Sequence, residues 1–151
     1  MKRMKIDMPS RWQYATEIEV RVSDLNYGNH MGNQEFLAYA QESRIRFLAH
    51  YGFSELDFGG VSLIQADAAI TFSCEGNLGD KVQIELATEV TGSSSFNIYY
   101  KFTNLTKSKH MANIRTALVS YDYEKNRSIA LTADALESGV FKSQNKKSKI
   151  T

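Results

Sequence analysis

The residue types best suited to chemistry crowd into positions 23 to 33, "SDLNYGNHMGN", which hold one acid, one histidine, three asparagines, a tyrosine and two glycines. His30 is the histidine of this stretch, and an imidazole titrates close enough to neutrality to move a proton in either direction. Asp24 falls in phase with Ile18, Val20 and Val22 of the run before it. It is therefore expected to point inward, where it caps the helix or braces the loop; the alternative is that desolvation raises its pKa and suits it to act as a base. Asn26 has no basic lone pair near neutral pH, so it serves as neither nucleophile nor base. Its amide can still donate a hydrogen bond to a carbonyl or hold a water. Two further carboxylates, Asp67 and Glu75, lie on one later run, "ADAAITFSCE", with Asp67 expected to face a helix and Glu75 to end the strand. Cys74 has no histidine close to it in sequence and reads as a structural thiol. Ser93 to Ser95 form a polar turn with no elbow-type motif around a serine.

These groups need elements to position them. "TEIEVRVSD" alternates, with Ile18, Val20 and Val22 on one face and Glu17, Glu19 and Arg21 on the other, which argues for a half-buried strand. After the chemical stretch the period changes. In "NQEFLAYAQESRIRFLAHYG", Phe36, Ala40, Ser43 and Phe47 form one row, with Leu37, Ala40, Arg44 and Leu48 beside it. Asn33 is the expected N-cap of this helix and Gly52 the glycine just past its end. A helix starting at Asn33 directs free backbone N–H groups and a positive dipole end toward the loop from Asn29 to Asn33, where a carbonyl could be polarised.

Period two then returns. "VSLIQADAAITFS" reads as a long strand, and the runs containing Val82, Ile84 and Leu86, then Phe96, Ile98, Tyr100 and Phe102, then "MANIRTALVSYDY" follow with short turns between them. "TADALESGVF" adds a short helix. Tyr99, Tyr100, Tyr121 and Tyr123 are sheet residues on this reading, and the basic residues from Lys101 to Arg115 form a solvated face, the alternative being that they meet the phosphates of a substrate. Consecutive strands joined by short turns pair antiparallel. The expected fold class is α+β, a five-stranded antiparallel sheet wrapped around one long central helix. One helix cannot cover both sheet faces and the edges, so a homo-oligomer is expected on burial grounds alone.

At 151 residues the chain is the size of one domain, expected over 1–141, with 142–151 as a polar basic tail. Eighteen basic and seventeen acidic residues leave a charge of +1, so nothing draws the chain to nucleic acid or an anionic membrane. No run approaches the ~20 apolar residues of a membrane span, and "MKRMKIDMPSRWQY" lacks a signal peptide's apolar core. A single cysteine excludes an internal disulfide framework and a zinc site of several thiolates. The expected location is the cytoplasm.

The stretch from about Val20 to Tyr123 resembles the hotdog-fold thioesterases of the 4-hydroxybenzoyl-CoA and acyl-ACP thioesterase type. Asp24, Leu25, Asn26, Tyr27, Gly28, Asn29, His30, Met31, Gly32 and Asn33 stand against that family's acid, any residue, acid, two residues, Gly-His, hydrophobic, any residue, Asn motif, and the central helix follows at once. "FLAYAQESRIRFL" and "ITFSCEGNLGD" give secondary support.

The resemblance implies hydrolysis of an acyl thioester by activated water, with coenzyme A or acyl carrier protein as part of the substrate. It also implies a homodimer or tetramer with active sites where two subunits meet, no metal and no dissociable redox cofactor. Among the residues of this chain it implies Asn26, His30, Asp24 and Glu75 for catalysis, and Tyr27, Gly28, Asn29, Met31, Gly32, Asn33 and Asp67 for substrate binding. The chain departs from the family at Asn26, which stands where relatives carry the catalytic aspartate, and at Asn29, which replaces the glycine before the histidine. Asn26 gives the alternative reading its basis: a hotdog protein that binds an acyl thioester or other small ligand without hydrolysing it. The local motifs of hotdog dehydratases and hydratases are absent from the sequence.

Overall fold

The computed structural model describes residues 1–142; the expected basic tail lies, from residue 143 onward, outside the described residues. The elements run β1 (Tyr14–Glu19), α1 (Asn33–His50), β2 (Ser62–Phe72), β3 (Lys81–Val90), β4 (Ser95–Asn104), β5 (Lys109–Asp122), β6 (Arg127–Ser128) and α2 (Ala133–Leu136). The sheet order is β1-β3-β4-β5-β2, with the two-residue β6 paired to β5. Every strand pairing among the described residues is antiparallel. The five expected strands are all present, and β6 adds a sixth short one as β5 turns back.

Alternation sets the core. Val82, Ile84 and Leu86 of β3, and Phe96, Ile98, Tyr100 and Phe102 of β4, are fully buried on one face of the sheet. Helix α1 lies on that face: Phe36 packs against Phe72 of β2 and Phe102 of β4, and Phe47 against Tyr14 of β1. Its buried stripe includes Phe36, Tyr39, Ala40, Ser43, Arg44, Phe47 and Leu48. The charge of Arg44 is accommodated there because its guanidinium donates to Tyr100 Oη at 3.0 Å and Gln65 Oε1 at 3.2 Å, and meets the Glu55 carboxylate at 3.3 Å. Leu37, expected in the buried row, is 39% exposed at the flank of the stripe.

Three local expectations are corrected. β1 ends at Glu19, earlier than the alternation suggests, and Val22 is 72% exposed. The cause is a 3-10 turn at Val22–Asp24, closed when the Asp24 carboxylate accepts the Arg21 N–H at 2.9 Å. The N-cap of α1 is Gly32, with φ −67° and ψ 150°, so Asn33 is already helical; the helix has no side-chain cap at this end. β2 ends at Phe72, so Glu75 lies beyond the strand. The chain peels away there because Ser73 and Cys74 both donate to the single carbonyl of Met111. Gly52 follows α1 with φ +83°, a left-handed conformation that suits glycine at a helix C-terminus.

Candidate active site

The loop between β1 and α1 is held by its own backbone and by β2's continuation. Asn26 and His30 close a turn, with Asn26 N donating to His30 O at 2.8 Å and Asn29 N to Asn26 O at 3.1 Å. The left-handed position in this turn is taken by Asn29, at φ 64°, and not by a glycine; asparagine tolerates that region better than most residues. Met31 N donates to Gly76 O at 2.8 Å and Gly32 N to Asp24 O at 3.0 Å. These bonds bring the loop against the segment after β2 and feed it into the N-terminus of α1.

The two segments meet in one contact. His30 Nε2 lies 2.9 Å from a carboxylate oxygen of Glu75. An ionised carboxylate only accepts, so in the neutral imidazole the proton sits on Nε2 and the lone pair is left on Nδ1. Asn26 is oriented by the same loop: its Oδ1 accepts from Gly28 N at 2.9 Å and His30 N at 3.4 Å. That commitment fixes the amide's orientation and leaves its two Nδ2 hydrogens as the donating side.

A cavity of about 600 Å³ opens here. Asn26, His30 and Glu75 form its polar side; Met31, Phe36 and Phe72 form an apolar wall; and Asn33 stands at the first turn of α1, where backbone N–H groups have no intrahelical acceptor. Five sequence-predicted residues, Asn26, His30, Met31, Asn33 and Glu75, therefore line one space. Tyr27, Gly28, Asn29 and Gly32 are outside its lining; Tyr27 points fully into solvent, while Gly28 and Asn29 shape the turn.

Asp24 and Asp67 are elsewhere, each for a legible reason. Asp24 is 2% exposed and accepts from the Arg21 side chain at 3.1 and 3.2 Å and from Tyr39 Oη at 2.6 Å. Burial pushes its carboxyl up, but the bonds from Arg21 and Tyr39 outweigh that and hold it below the usual carboxylate range, the opposite of the raised value expected for a base. Burial and the Asp24 carboxylate in turn push the Tyr39 hydroxyl well above its ordinary value. Asp67 does not face the helix. A bulge between Gln65 and Asp67 inserts an extra residue, Ala66, and inverts the strand's phase. Gln65, though exposed, accepts from Arg44 of the helix at 3.2 Å, whereas Asp67, 58% exposed, pairs with Arg115 at 2.9 Å.

The sequence reading left out Phe36, Phe72, Ser73, Cys74, Lys107 and Lys109, all of which line the cavity. The lysines arrive because β5 pairs with β2, setting Ala112 opposite Phe72 and so bringing the start of β5 beside the segment that carries Glu75. Cys74, expected to be structural, is half-buried at the cavity wall. Among the described residues no group of three or more His, Cys, Asp or Glu side chains is arranged to hold a metal ion, and no helix is long and apolar enough to cross a membrane.

Solved structures share this architecture. A 1,4-dihydroxy-2-naphthoyl-CoA thioesterase from Synechocystis is 18% identical, with a TM-score of 0.74 over 80% of this chain and 90% of its own. The DHNA-CoA thioesterase from Staphylococcus aureus is 18% identical, with a TM-score of 0.70 over 78% of this chain and 79% of its own. A second Staphylococcus aureus protein, solved in complex with CoA, is 15% identical, with a TM-score of 0.75 over 88% and 84%. No curated protein matches the sequence. At these identities the likeness is one of fold, and the fold is the hotdog. Residues 20–139 match the family model of the thioesterase-like superfamily, and the chain belongs to that superfamily.

Proposed function

We propose that the protein hydrolyses acyl thioesters of coenzyme A or acyl carrier protein, with His30 as general base, Glu75 as the group that orients it, and Asn26 as a donor to the thioester carbonyl. The observation that carries this reading is the 2.9 Å contact between His30 Nε2 and Glu75, beside an Asn26 amide whose oxygen is already committed to the loop. A carboxylate on one imidazole nitrogen fixes the tautomer and makes the other nitrogen the proton acceptor. It replaces, in function, the aspartate that relatives carry at the position of Asn26.

The steps balance as follows. A water oxygen attacks the thioester carbonyl carbon while His30 Nδ1 takes one of its protons, and the imidazolium formed is stabilised by Glu75. The carbonyl oxygen gains the negative charge and is met by the Nδ2–H of Asn26 and the free N–H groups at the start of α1. Collapse of the tetrahedral species breaks the C–S bond, and the proton on His30 passes to the leaving sulfur. The products are a carboxylic acid and a free thiol. The apolar wall of Met31, Phe36 and Phe72 is where the acyl group would lie.

We also infer that a second copy of the chain completes the site. Among the described residues β2 is a sheet edge with no strand beyond it, the cavity sits at its end, and Ala66, Ala68, Phe72 and the α1 residues Leu37 and Ile45 are exposed. The deciding experiment is release of free thiol from acyl-CoAs of graded chain length, measured together with binding. Hydrolysis that depends on His30 supports the reading. Binding without thiol release, unchanged in His30→Ala, would overturn it in favour of a non-hydrolytic thioester-binding protein, the role Asn26 would otherwise suit.

A further inference from the structure

Glu75 raises a question that its contact with His30 does not answer. Its side chain is more than half exposed, and it follows the end of β2, so neither packing nor the sheet ladder holds it. Backbone bonds clamp its neighbours, Cys74 N to Met111 O and Met31 N to Gly76 O, and leave the Glu75 carbonyl itself to two side-chain donors, Cys74 Sγ at 3.3 Å and Lys107.

The answer is a buried polar knot behind it. Asp80 is buried and accepts from Asn77 N at 2.9 Å and from Asn104 Nδ2 at 2.8 Å. Asn104, wholly buried, turns its own oxygen to the backbone N–H of Lys107 at 3.0 Å. The Lys107 ammonium then returns to the loop after β2. It donates to Glu75 O at 3.3 Å and to Asn77 Oδ1, and lies 3.6 Å from the Asp80 carboxylate. An ammonium has three donors; two are hydrogen-bonded to this one loop, and the Asp80 carboxylate stands within ion-pair range. Lys109, lining the same cavity, makes no ion pair among the described residues.

We infer that Lys107, anchored by Asp80, is a positioning residue: it holds the carbonyl of Glu75 and thereby the carboxylate of Glu75 against His30. Its place in the cavity wall does not make it an anchor for substrate, because its charge is paired with Asp80 and two of its three hydrogens are already bonded to the loop. The inference deepens the hydrolytic reading and rests on it for its kinetic consequence, while the effect on His30 can be read without turnover.

The test compares wild type, Glu75→Gln, Lys107→Met, the double variant and Lys107→Arg. The first measurement is the ¹H–¹⁵N spectrum of the His30 ring in the full-length protein. Lys107→Met is expected to move the ring resonances in the direction that Glu75→Gln moves them, the double variant to match Glu75→Gln alone, and Lys107→Arg to restore most of the wild-type signal. The second is hydrolysis of an acyl-CoA beside the same acyl group on pantetheine. Here kcat is expected to fall roughly ten- to a hundredfold in Lys107→Met, as for a misplaced catalytic group, with KM unchanged for both substrates and no further loss in the Glu75→Gln background.

Unmoved His30 resonances in Lys107→Met would overturn the inference, as would equal losses in both backgrounds. A rise in KM confined to acyl-CoA would do so as well, by making Lys107 a substrate anchor. If Lys107→Met does not fold, Lys107→Gln enters the same comparison. A wild type that releases no thiol counts against the hydrolytic reading, and the ring spectra still decide the role of Lys107.

Discussion

His30 on the loop before α1 and Glu75 on the segment after β2 are joined, Nε2 to carboxylate, at 2.9 Å. Neither segment is a regular element, so the contact exists because backbone bonds clamp each of them: Met31 to Gly76, and Ser73 and Cys74 to Met111. A histidine so held has one nitrogen assigned and the other free, the arrangement that general-base catalysis requires.

The pair should therefore lose activity in a graded way. His30→Gln removes the base itself and is expected to lower kcat by about 10²- to 10⁴-fold, whereas Glu75→Gln leaves the imidazole in place and costs less. The double variant should be no worse than His30→Gln alone, since groups that act as a unit are not additive. Steady-state kinetics on a well-hydrolysed acyl-CoA check this. A Glu75→Gln loss larger than that of His30→Gln would make the carboxylate the base.

Asn26 separates two functions of one side chain. Its oxygen holds the turn and its nitrogen is the proposed donor to the thioester carbonyl, so Asn26→Asp keeps the acceptor and discards the donor. Asn26→Asp is expected to fold with a melting temperature close to wild type and to lose about 10²- to 10³-fold in kcat, the scale of one oxyanion donor. Asn26→Ala should show the same loss together with a lower melting temperature. A rate increase in Asn26→Asp would mean that the family's acid mechanism still operates in this loop and that the native amide weakens it.

Asp24 makes a prediction about pH and stability. Its folded-state pKa is depressed by Arg21 and Tyr39 against the effect of burial. Such a group stabilises the fold above its unfolded pKa of about 3.9, and the contribution disappears as pH falls through the lower folded value. Asp24→Asn should then unfold in urea with about 1–3 kcal/mol less stability near neutrality. The gap to wild type should be constant above about pH 5 and close below pH 4. A gap that stays flat into acid would show that Asp24 is not held ionised by these bonds.

Much of the fold was legible because its periods are unbroken. The alternation of β3 and β4 placed Val82, Ile84, Leu86, Phe96, Ile98, Tyr100 and Phe102 on one buried face, and the structure buries all of them. Asp67 was misplaced because a bulge reversed β2 at Ala66, and alanine carries no signal of a bulge. Val22 was misplaced because Arg21 and Asp24 close a turn that the alternation conceals. In the site, the motif pointed to Asn26 and His30, and the likeness to relatives pointed to Glu75. Lys107 and Lys109 were read as a solvated face, since their approach to the cavity is a product of strand order: β5 starts where β2 ends, a relation fixed by pairing across the sheet and invisible in local sequence.

The edge of the sheet supplies the last prediction. Among the described residues β2 leaves one side of its backbone unpaired, and its exposed Ala66 and Ala68 flank a single charge, Asp67, that Arg115 neutralises. The nearby cavity has an apolar wall, with Phe72 more than a third exposed, which a second copy would cover. Sedimentation velocity is expected to show a dimer or larger species for wild type. Ala68→Lys should shift it toward monomer by placing a charge on the edge, and thiol release should fall in parallel because the wall is left open to water. A monomeric wild type with full activity would separate the site from any partner. A monomeric Ala68→Lys that keeps its rate would place the whole catalytic apparatus within one chain.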